Sequence, residues 1–124
     1  MKKIVVTGGL GFIGSNLINL LLSKKYYVIN IDKLSYSSNF YNVKGFKDSK
    51  KYKFIKADLN NKSKIYKVFK KYKPYALFNL AAETHVDRSI DGPETFIKNN
   101  ILGVFNLLQT FRKYISENNH CKLI

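Results

Sequence analysis

Three equally spaced glycines stand in the stretch "VVTGGLGFIGSN", residues 5–16. Gly8, Gly11 and Gly14 follow one apolar run and precede another, "LINLLL". Glycines in a turn between a strand and a helix let the backbone approach a pyrophosphate, while the helix N-terminus offers N–H groups to the phosphates. The spacing is G-x-x-G-x-x-G rather than G-x-G-x-x-G. We expect Gly8 to take the tight turn, Gly11 to admit the pyrophosphate and Gly14 to let helix and strand pack closely.

An acidic residue ends the next apolar run. Asp32 closes "YYVINID", residues 26–32, and lies 18 residues after Gly14. A carboxylate at this point accepts hydrogen bonds from ribose hydroxyls and repels the extra phosphate of NADP, so the pattern favours NAD. Lys33 leaves room for NADP, and a carboxylate that only caps or solvates a strand end is the simpler alternative. Asp58 ends a third run in the analogous place and is a candidate either for the adenine edge or for a turn.

The elements that must position these residues alternate between strand and helix. The sequence predicts strands at 3–7, 26–32, 52–58, 75–80 and from 121, with helices at about 14–24, within 60–73 and at 93–116. This alternation predicts an α/β, Rossmann-type doubly wound parallel sheet with strand order 3-2-1-4-5. We expect the sheet to be truncated after the start of its fifth strand. Residues 1–124 are expected to form the N-terminal part of one dinucleotide-binding domain. The segments 33–51 and 81–92 are too long for simple turns and are candidate binding loops.

Composition narrows the class of protein. With 124 residues, 45% of them hydrophobic, the chain fits one folded domain. No apolar run approaches the ~20 residues of a membrane span, and the N-terminus does not resemble a signal peptide, so we expect a cytoplasmic protein without membrane attachment. The single cysteine, Cys121, excludes an internal disulfide and a zinc site of several thiolates. We expect it to be a small core residue and expect no metal site.

The formal net charge of +14 makes nucleic acid a partner to consider. Only two of the 22 basic residues are arginines, the residue type that reads bases through bidentate contacts. In the segment 60–73 the apolar residues recur at helical spacing and most lysines lie off that stripe. The apolar residues are Ile65, Val68, Phe69 and Tyr72, and the lysines are Lys64, Lys67, Lys70 and Lys71. We interpret these lysines as a solvated helix face and do not expect nucleic acid as a partner.

Four stretches together resemble the dTDP-glucose 4,6-dehydratase family of extended short-chain dehydrogenases/reductases. The stretch "TGGLGFIGSN" is shared by nucleotide-sugar epimerases, dehydratases and decarboxylases. Three further stretches narrow the resemblance to the dTDP-glucose 4,6-dehydratases: "DKLSY" at 32–36, "LAAETHVDRSIDGP" at 80–93 and "FIKNNILGVFNLLQT" at 96–110. It implies an NAD-dependent lyase that oxidises C4 of dTDP-glucose, eliminates water across C5 and C6 and returns the hydride to C6, as in dTDP-rhamnose biosynthesis. It also implies a homodimer. The stripe Phe96, Phe105, Leu107, Leu108 and Phe111 is expected to be core and dimer surface.

The resemblance implies that NAD contacts the glycine turn, the ends of the second, third and fourth strands, and the last helix. The residues at matching motif positions are Gly8, Gly11, Phe12, Ile13, Gly14, Asp32, Lys33, Leu34, Ser35, Asp58, Leu59, Leu80, Ala81, Ala82, Glu83, Thr84 and Asn99. In that order, five line the pyrophosphate, four surround the adenosine ribose, two flank the adenine and five run beneath the nicotinamide half. Thr84 also reaches the sugar substrate. Asn99 stands where the family usually has Thr, and "SYSSN" at 35–39 departs from the family's Thr-Tyr-Ala-Gly-Asn.

The catalytic residues implied by the resemblance have no counterpart in these 124 residues. The family's Ser-Thr-Asp-Glu-Val-Tyr-Gly stretch and its Tyr-x-x-x-Lys pair follow the fifth strand, where this sequence reaches "HCKLI". Tyr66 and Lys70 have the pair's spacing, but we interpret the match as coincidence because both fall on the lysine-faced helix. His85, Asp87 and Arg88 are interpreted as residues that hold their loop.

We therefore expect binding without turnover from these residues alone, and an uncovered sheet edge that leaves them marginally stable. Two alternatives stay open: another nucleotide-sugar dehydratase or epimerase, and a non-catalytic NAD-binding module. Product analysis separates the first from the leading interpretation, and a folded protein that binds NAD without consuming a sugar nucleotide indicates the second.

Overall fold

One parallel sheet of five strands organises the molecule. The structure is a computed structural model that describes residues 1–34, 39–82, 90 and 92–124. The strands are β1 (Lys3–Thr7), β2 (Tyr27–Asp32), β3 (Tyr52–Lys56), β4 (Ala76–Asn79) and β5 (Lys122–Leu123). Their order is β3-β2-β1-β4-β5, and every neighbouring pair is parallel. The predicted α/β class and strand order are confirmed.

Helices connect the strands on both faces of the sheet. The helix α1 spans Phe12–Ser23, α2 spans Lys62–Tyr72, and a short 3-10 helix, Phe40–Val43, lies in the first long loop. The last helical stretch consists of α3 (Pro93–Ile97), a π-helical turn (Lys98–Leu102) and α4 (Gly103–Ser116). The helix predicted at 93–116 is therefore confirmed in extent, but the wider turn in its middle was not predicted. Within the described ranges, no helix has the length and hydropathy that crossing a bilayer requires.

The central strands are buried on both faces, which explains why their residues are mostly apolar. In the register of the sheet, Val5 lies between Ile29 of β2 and Leu77 of β4, and all three are fully buried. This face packs against α2 and α4 through Ile65, Phe69, Leu107 and Tyr114. On the other face, Ile18 and Leu21 of α1 cover Ile4, Val6 and Val28.

The lysine-faced helix α2 has the predicted orientation. Ile65 and Phe69 are buried in the core, whereas the lysines of the helix are exposed. The Asn61 side chain accepts a hydrogen bond from Lys64 N at 3.2 Å and caps the first turn. Lys73, with φ of 48°, ends the helix in the left-handed conformation that is common at C-termini. Local capping and tertiary burial thus define this helix together.

The apolar stripe of the last helix is only partly core. Leu107 and Tyr114 are buried, and Phe111 packs at the edge of the same cluster. Phe105 and Leu108 are 53% and 43% exposed, so their assignment to the core was wrong. The buried face of α4 runs through positions 103, 107, 110 and 114, and these two residues lie off it. Cys121 is partly buried against the core rather than within it.

Candidate functional site

The carboxyl ends of four strands meet at one edge of the sheet, and the predicted site residues follow them. Gly8 N donates to Ile31 O at 2.9 Å, which joins the glycine turn to the end of β2. Ala57 N donates to Asp32 O at 3.1 Å and joins the ends of β2 and β3. β1 lies between β2 and β4, so the chain order reverses here, and ligands of open α/β sheets bind at such points.

The three glycines of the turn differ in what a side chain would meet. Gly8 has φ of 72°, and a Cβ there would lie 2.7 Å from the backbone of Ala81. A Cβ on Gly14 would lie 2.3 Å from Gly8 O, whereas one on Gly11 would find its nearest neighbour at 3.4 Å. Gly11 is also extended, with φ of −78° and ψ of 175°. The fold itself therefore requires Gly8 and Gly14, while the space beside Gly11 is open to a ligand.

The N-terminus of α1 is suited to an anion. Gly11 is its N-cap and supplies no side-chain hydrogen bond, and no acidic residue stands in the first turn. The first N–H groups of a helix have no partner within the helix, and the helix dipole places partial positive charge there. Phe12 and Ile13 are 79% and 69% exposed, so apolar surface lies beside these N–H groups. This combination fits a pyrophosphate carried by an organic ligand.

Asp32 is buried and binds the turn. It is 7% exposed, its Oδ2 accepts from Leu10 N at 3.1 Å, and its Oδ1 accepts from Leu34 N at 2.9 Å. Leu34 has φ of 66°, a conformation that is unusual for leucine and that the second bond stabilises. A carboxylate oxygen accepts more than one hydrogen bond, so ligand hydroxyls are suitable donors to this group. The carboxylate does cap this strand end, as the simpler alternative required, but it does not face solvent.

Asn30 supports the turn from below and was missed from the sequence. It is fully buried, its Oδ1 accepts from Gly9 N at 3.0 Å, and its Nδ2 donates to the Tyr52 hydroxyl at 2.9 Å. Burial raises the pKa of Tyr52 above the ordinary value, so the phenol is neutral at physiological pH. The available signal was a single amide inside the apolar run "YYVINID", since buried polar groups need partners.

Thr7 fixes the end of β4 and was also missed. Its hydroxyl is fully buried and donates to Asn79 Oδ1 at 2.6 Å. The same oxygen accepts from Leu80 N at 3.1 Å and from Ala81 N at 3.3 Å. The backbone of Leu80 and Ala81 is thereby held against the glycine turn. Their predicted contact with NAD stays a prediction.

The turn after β3 is tied to the last helical stretch. Asp58 Oδ1 accepts from Asn60 N at 2.9 Å, so this carboxylate shapes the turn before α2. Asn60 Oδ1 accepts from Asn106 Nδ2 at 2.6 Å, and Asn60 Nδ2 donates to Lys98 O at 3.5 Å. Leu59 has its side chain in the core. The predicted adenine-side residues therefore lie where β3 meets the π-helical turn.

Lys33 and Asn99 connect the end of β2 with the same turn. Lys33 Nζ donates a hydrogen bond to Asn99 Oδ1, and both side chains are partly buried. Sequence spacing did not predict this contact, although both residues were predicted to bind the cofactor. Ser35, Glu83 and Thr84 lie outside the described residues, as do His85, Asp87 and Arg88. Their predicted roles stay predictions.

The tyrosine and lysine of α2 have the wrong electrostatics for catalysis. The Tyr66 hydroxyl donates to Glu117 at 2.6 Å, and Lys70 forms an exposed ion pair with the same carboxylate at 3.5 Å. The bond to Glu117 raises the pKa of Tyr66, whereas a catalytic Tyr-x-x-x-Lys pair needs it lowered.

Among the described residues, no group of three or more His, Cys, Asp or Glu could hold a metal ion. The edge described above therefore offers binding groups: helix N–H groups, a buried carboxylate and apolar side chains.

Comparison with known proteins gives a consistent result. The family model described as GDP-mannose 4,6 dehydratase matches residues 5–124. A dTDP-glucose 4,6-dehydratase of Salmonella typhimurium is 44% identical over 115 residues, which are 92% of this chain and 32% of that protein. The chain thus spans about a third of the length of this relative.

Solved structures agree in fold. The dTDP-glucose 4,6-dehydratase of Bacillus anthracis in complex with NAD matches with a TM-score of 0.84 and 35% identity, over 99% of this chain and 36% of that one. A UDP-glucose 4-epimerase of Thermotoga maritima with UDP-glucose matches with a TM-score of 0.80 and 33% identity, over 90% of this chain and 34% of that one.

Proposed function

Because the chain belongs to the GDP-mannose 4,6-dehydratase family, we propose that it is the NAD-binding part of a dTDP-glucose 4,6-dehydratase. The observation that carries this proposal is the geometry at Gly11, where the backbone leaves open space beside an uncapped helix N-terminus. The buried Asp32 carboxylate lies at the next strand end. The relatives support the choice of substrate, since the Salmonella typhimurium protein is a dTDP-glucose 4,6-dehydratase.

In this proposal each segment of the site holds one part of the dinucleotide. The glycine turn and the first turn of α1 hold the pyrophosphate through backbone N–H groups. Asp32 accepts hydrogen bonds from the adenosine ribose, and its charge disfavours a 2′-phosphate. Asp58, Leu59 and Asn99 belong to the adenine side, and the backbone after β4 belongs to the nicotinamide side. Ser35, Glu83 and Thr84 are proposed to complete the site, with Thr84 also contacting the sugar.

NAD bound here would supply the hydride acceptor for C4 of the sugar and the hydride donor for C6. The residues of this chain would bind and orient it, because the rigid strand ends β1, β2 and β4 carry the contacts. The proposal includes a cytoplasmic location, because NAD and nucleotide sugars are made in that compartment.

Calorimetric titration with NAD tests the cofactor assignment. We expect the purified protein to bind NAD and Gly11→Val to lower the affinity by tenfold or more, because the isopropyl group fills the open space beside the helix N-terminus. Gly45→Val is the matched control, since a Cβ at Gly45 meets nothing within 4 Å. Equal NAD affinity in Gly11→Val and the wild type contradicts the assignment.

The substrate assignment is tested by product analysis. Incubation of dTDP-glucose with a full-length protein that contains this chain is expected to yield a 4-keto-6-deoxy sugar nucleotide and water, identified by NMR and mass. Residues 1–124 alone are expected to bind NAD without turnover, because the family's catalytic residues have no counterpart in them. The similarity to a UDP-glucose 4-epimerase favours one alternative, inversion at C4 of UDP-glucose without loss of water. A product of unchanged mass would support that alternative. Binding of NAD with no product from either sugar nucleotide would favour a non-catalytic binding module.

A homodimer is the proposed assembly. Large apolar side chains recur three to four residues apart on the exposed side of the last helical stretch: Ile97, Ile101, Phe105 and Leu108. A surface stripe of this kind is typical of a protein interface. We expect Leu108→Glu to give monomers in sedimentation velocity experiments. Leu20→Glu, at an exposed leucine of α1, is the control and should leave the dimer intact.

A further inference from the structure

The bond between Lys33 and Asn99 spans two elements that are far apart in sequence. Lys33 follows the last residue of β2, and Asn99 lies in the π-helical turn. That turn is itself fixed, because Lys98 O accepts from Asn60 Nδ2 at 3.5 Å and Asn106 Nδ2 donates to Asn60 Oδ1 at 2.6 Å. Asn99 therefore offers its amide oxygen from a supported position, and the Lys33 ammonium is held there.

Asp32 and Lys33 are neighbours with opposite effects on a dinucleotide. A carboxylate beside the ribose repels a 2′-phosphate, whereas an ammonium group within reach attracts it. The charge of Asp32 cannot discriminate fully if the next side chain is free to neutralise the phosphate. A group that binds the Lys33 ammonium and keeps it from a 2′-phosphate therefore contributes to the choice between NAD and NADP.

The geometry points to Asn99 as a positioning residue for cofactor choice. By accepting the hydrogen bond from Lys33, it makes the ammonium group give up a charge-assisted bond before it can bind a 2′-phosphate, so the site prefers NAD. This inference rests on the proposed function, because it concerns the dinucleotide that the site would take. Charge-assisted hydrogen bonds are about twice as strong as neutral ones, so the expected effect is about tenfold in relative affinity.

The test is the ratio of NAD to NADP dissociation constants, measured by calorimetry on the purified protein. Asn99→Ala is expected to shift this ratio about tenfold toward NADP. Adding Lys33→Met to Asn99→Ala should reverse the shift, because the ammonium group that gains the phosphate is then gone. Asn99→Asp retains the acceptor, adds a charge and should shift the ratio toward NAD. Asn119→Ala is the matched control, since it removes an asparagine hydrogen bond, to Tyr114 O, at the end of α4 that is remote from the π-helical turn.

Each result bears on one of the two claims. If the wild type binds NAD and neither Asn99→Ala nor Asn99→Asp moves the ratio, the role of Asn99 is overturned while the cofactor assignment stands. A shift in Asn99→Ala that persists after Lys33→Met also overturns it. If the wild type binds neither dinucleotide, the proposed function fails, and the role of Asn99 falls with it. Loss of folding in Asn99→Ala leaves the decision to Asn99→Asp, which is nearly isosteric.

Discussion

At the scale of single residues, an added methyl group would clash at one position of the glycine turn and fit at another. A Cβ on Gly14 would lie 2.3 Å from the carbonyl oxygen of Gly8, which belongs to the backbone and cannot move aside cheaply. A Cβ on Gly11 would meet nothing closer than 3.4 Å. Gly14 is therefore needed for the stability of the turn, whereas Gly11 leaves space for a ligand.

This difference predicts distinct outcomes for two alanine variants. Gly14→Ala should lower the free energy of unfolding by about 1–3 kcal/mol, as overpacking of a close contact does. Gly11→Ala should change it by less than about 1 kcal/mol, because its backbone conformation suits any residue. Urea denaturation of both variants measures the difference. A Gly11→Ala variant less stable than Gly14→Ala would contradict the space that the structure shows beside these two glycines.

Cys121 offers a residue-scale test of burial. Desolvation raises the pKa of its thiol to about 11, and the thiolate is the form that alkylating reagents attack. At pH 8.5 we expect iodoacetamide to modify the native protein at least about tenfold more slowly than the urea-unfolded chain, with the native rate rising toward pH 11. Mass spectrometry over time gives both rates. Equal rates in the two states would contradict the burial of this thiol.

At the scale of elements, α2 shows that buried and exposed contacts of one helix differ in weight. Phe69 is buried, and its ring lies 5.6 Å from that of Tyr114 on α4. Lys70, the next residue, forms an ion pair with Glu117 on the exposed face. Burial of a large ring stabilises the fold, whereas exposed ion pairs are screened by water and salt.

We therefore expect Phe69→Ala to lower the free energy of unfolding by about 3–5 kcal/mol. Lys70→Ala, the control on the same helix, should produce no measurable change. Chemical denaturation monitored by circular dichroism tests both variants. Similar losses in the two would mean that α2 is held by its charged face rather than by its packing.

Two buried hydrogen-bonding side chains give the central strands a role beyond their apolar cores. Asn30 of β2 holds Gly9, and Thr7 of β1 holds the backbone after β4. The strand residues next to them are buried and apolar, so each polar group would be costly without its partner. These elements therefore position the site as well as the core.

At the scale of the whole molecule, burial is concentrated in the middle of the sheet. Val5, Val6, Val28 and Ile29, all in β1 and β2, are fully buried, whereas Phe40 and Tyr41 of the first long loop are exposed. Amide hydrogen exchange followed by mass spectrometry should accordingly be slowest in peptides from β1 and β2 and faster in peptides from 39–51. Equal protection of both regions would contradict this distribution of stability.

The charge of the molecule is also a whole-chain property. Lysines account for most of the basic residues, and those of α2 lie on an exposed helix face. This agrees with the interpretation of a solvated surface. The expectation that nucleic acid is not a partner stays a prediction.

The sequence by itself determined the order of the strands and the place of the glycine turn. Both follow from local rules: alternation of strand and helix implies right-handed crossovers, and glycine spacing after a strand indicates a turn that opens a helix. The burial of α2 also followed from local periodicity, because one helix has one apolar face. The same reasoning was wrong for Phe105 and Leu108, since periodicity identifies an apolar face but not whether another element covers it.

Only the tertiary structure decided which polar side chains hold the site together. Thr7 meets Asn79 across 72 residues, and Lys33 meets Asn99 across 66. No local pattern encodes such partners, because the separation in space depends on how the strands and the last helix pack. The π-helical turn that carries Asn99 was likewise not predicted. The glycine turn could be predicted from the sequence because one continuous segment forms it. The side chains that hold it in place come from segments that only the folded sheet brings together.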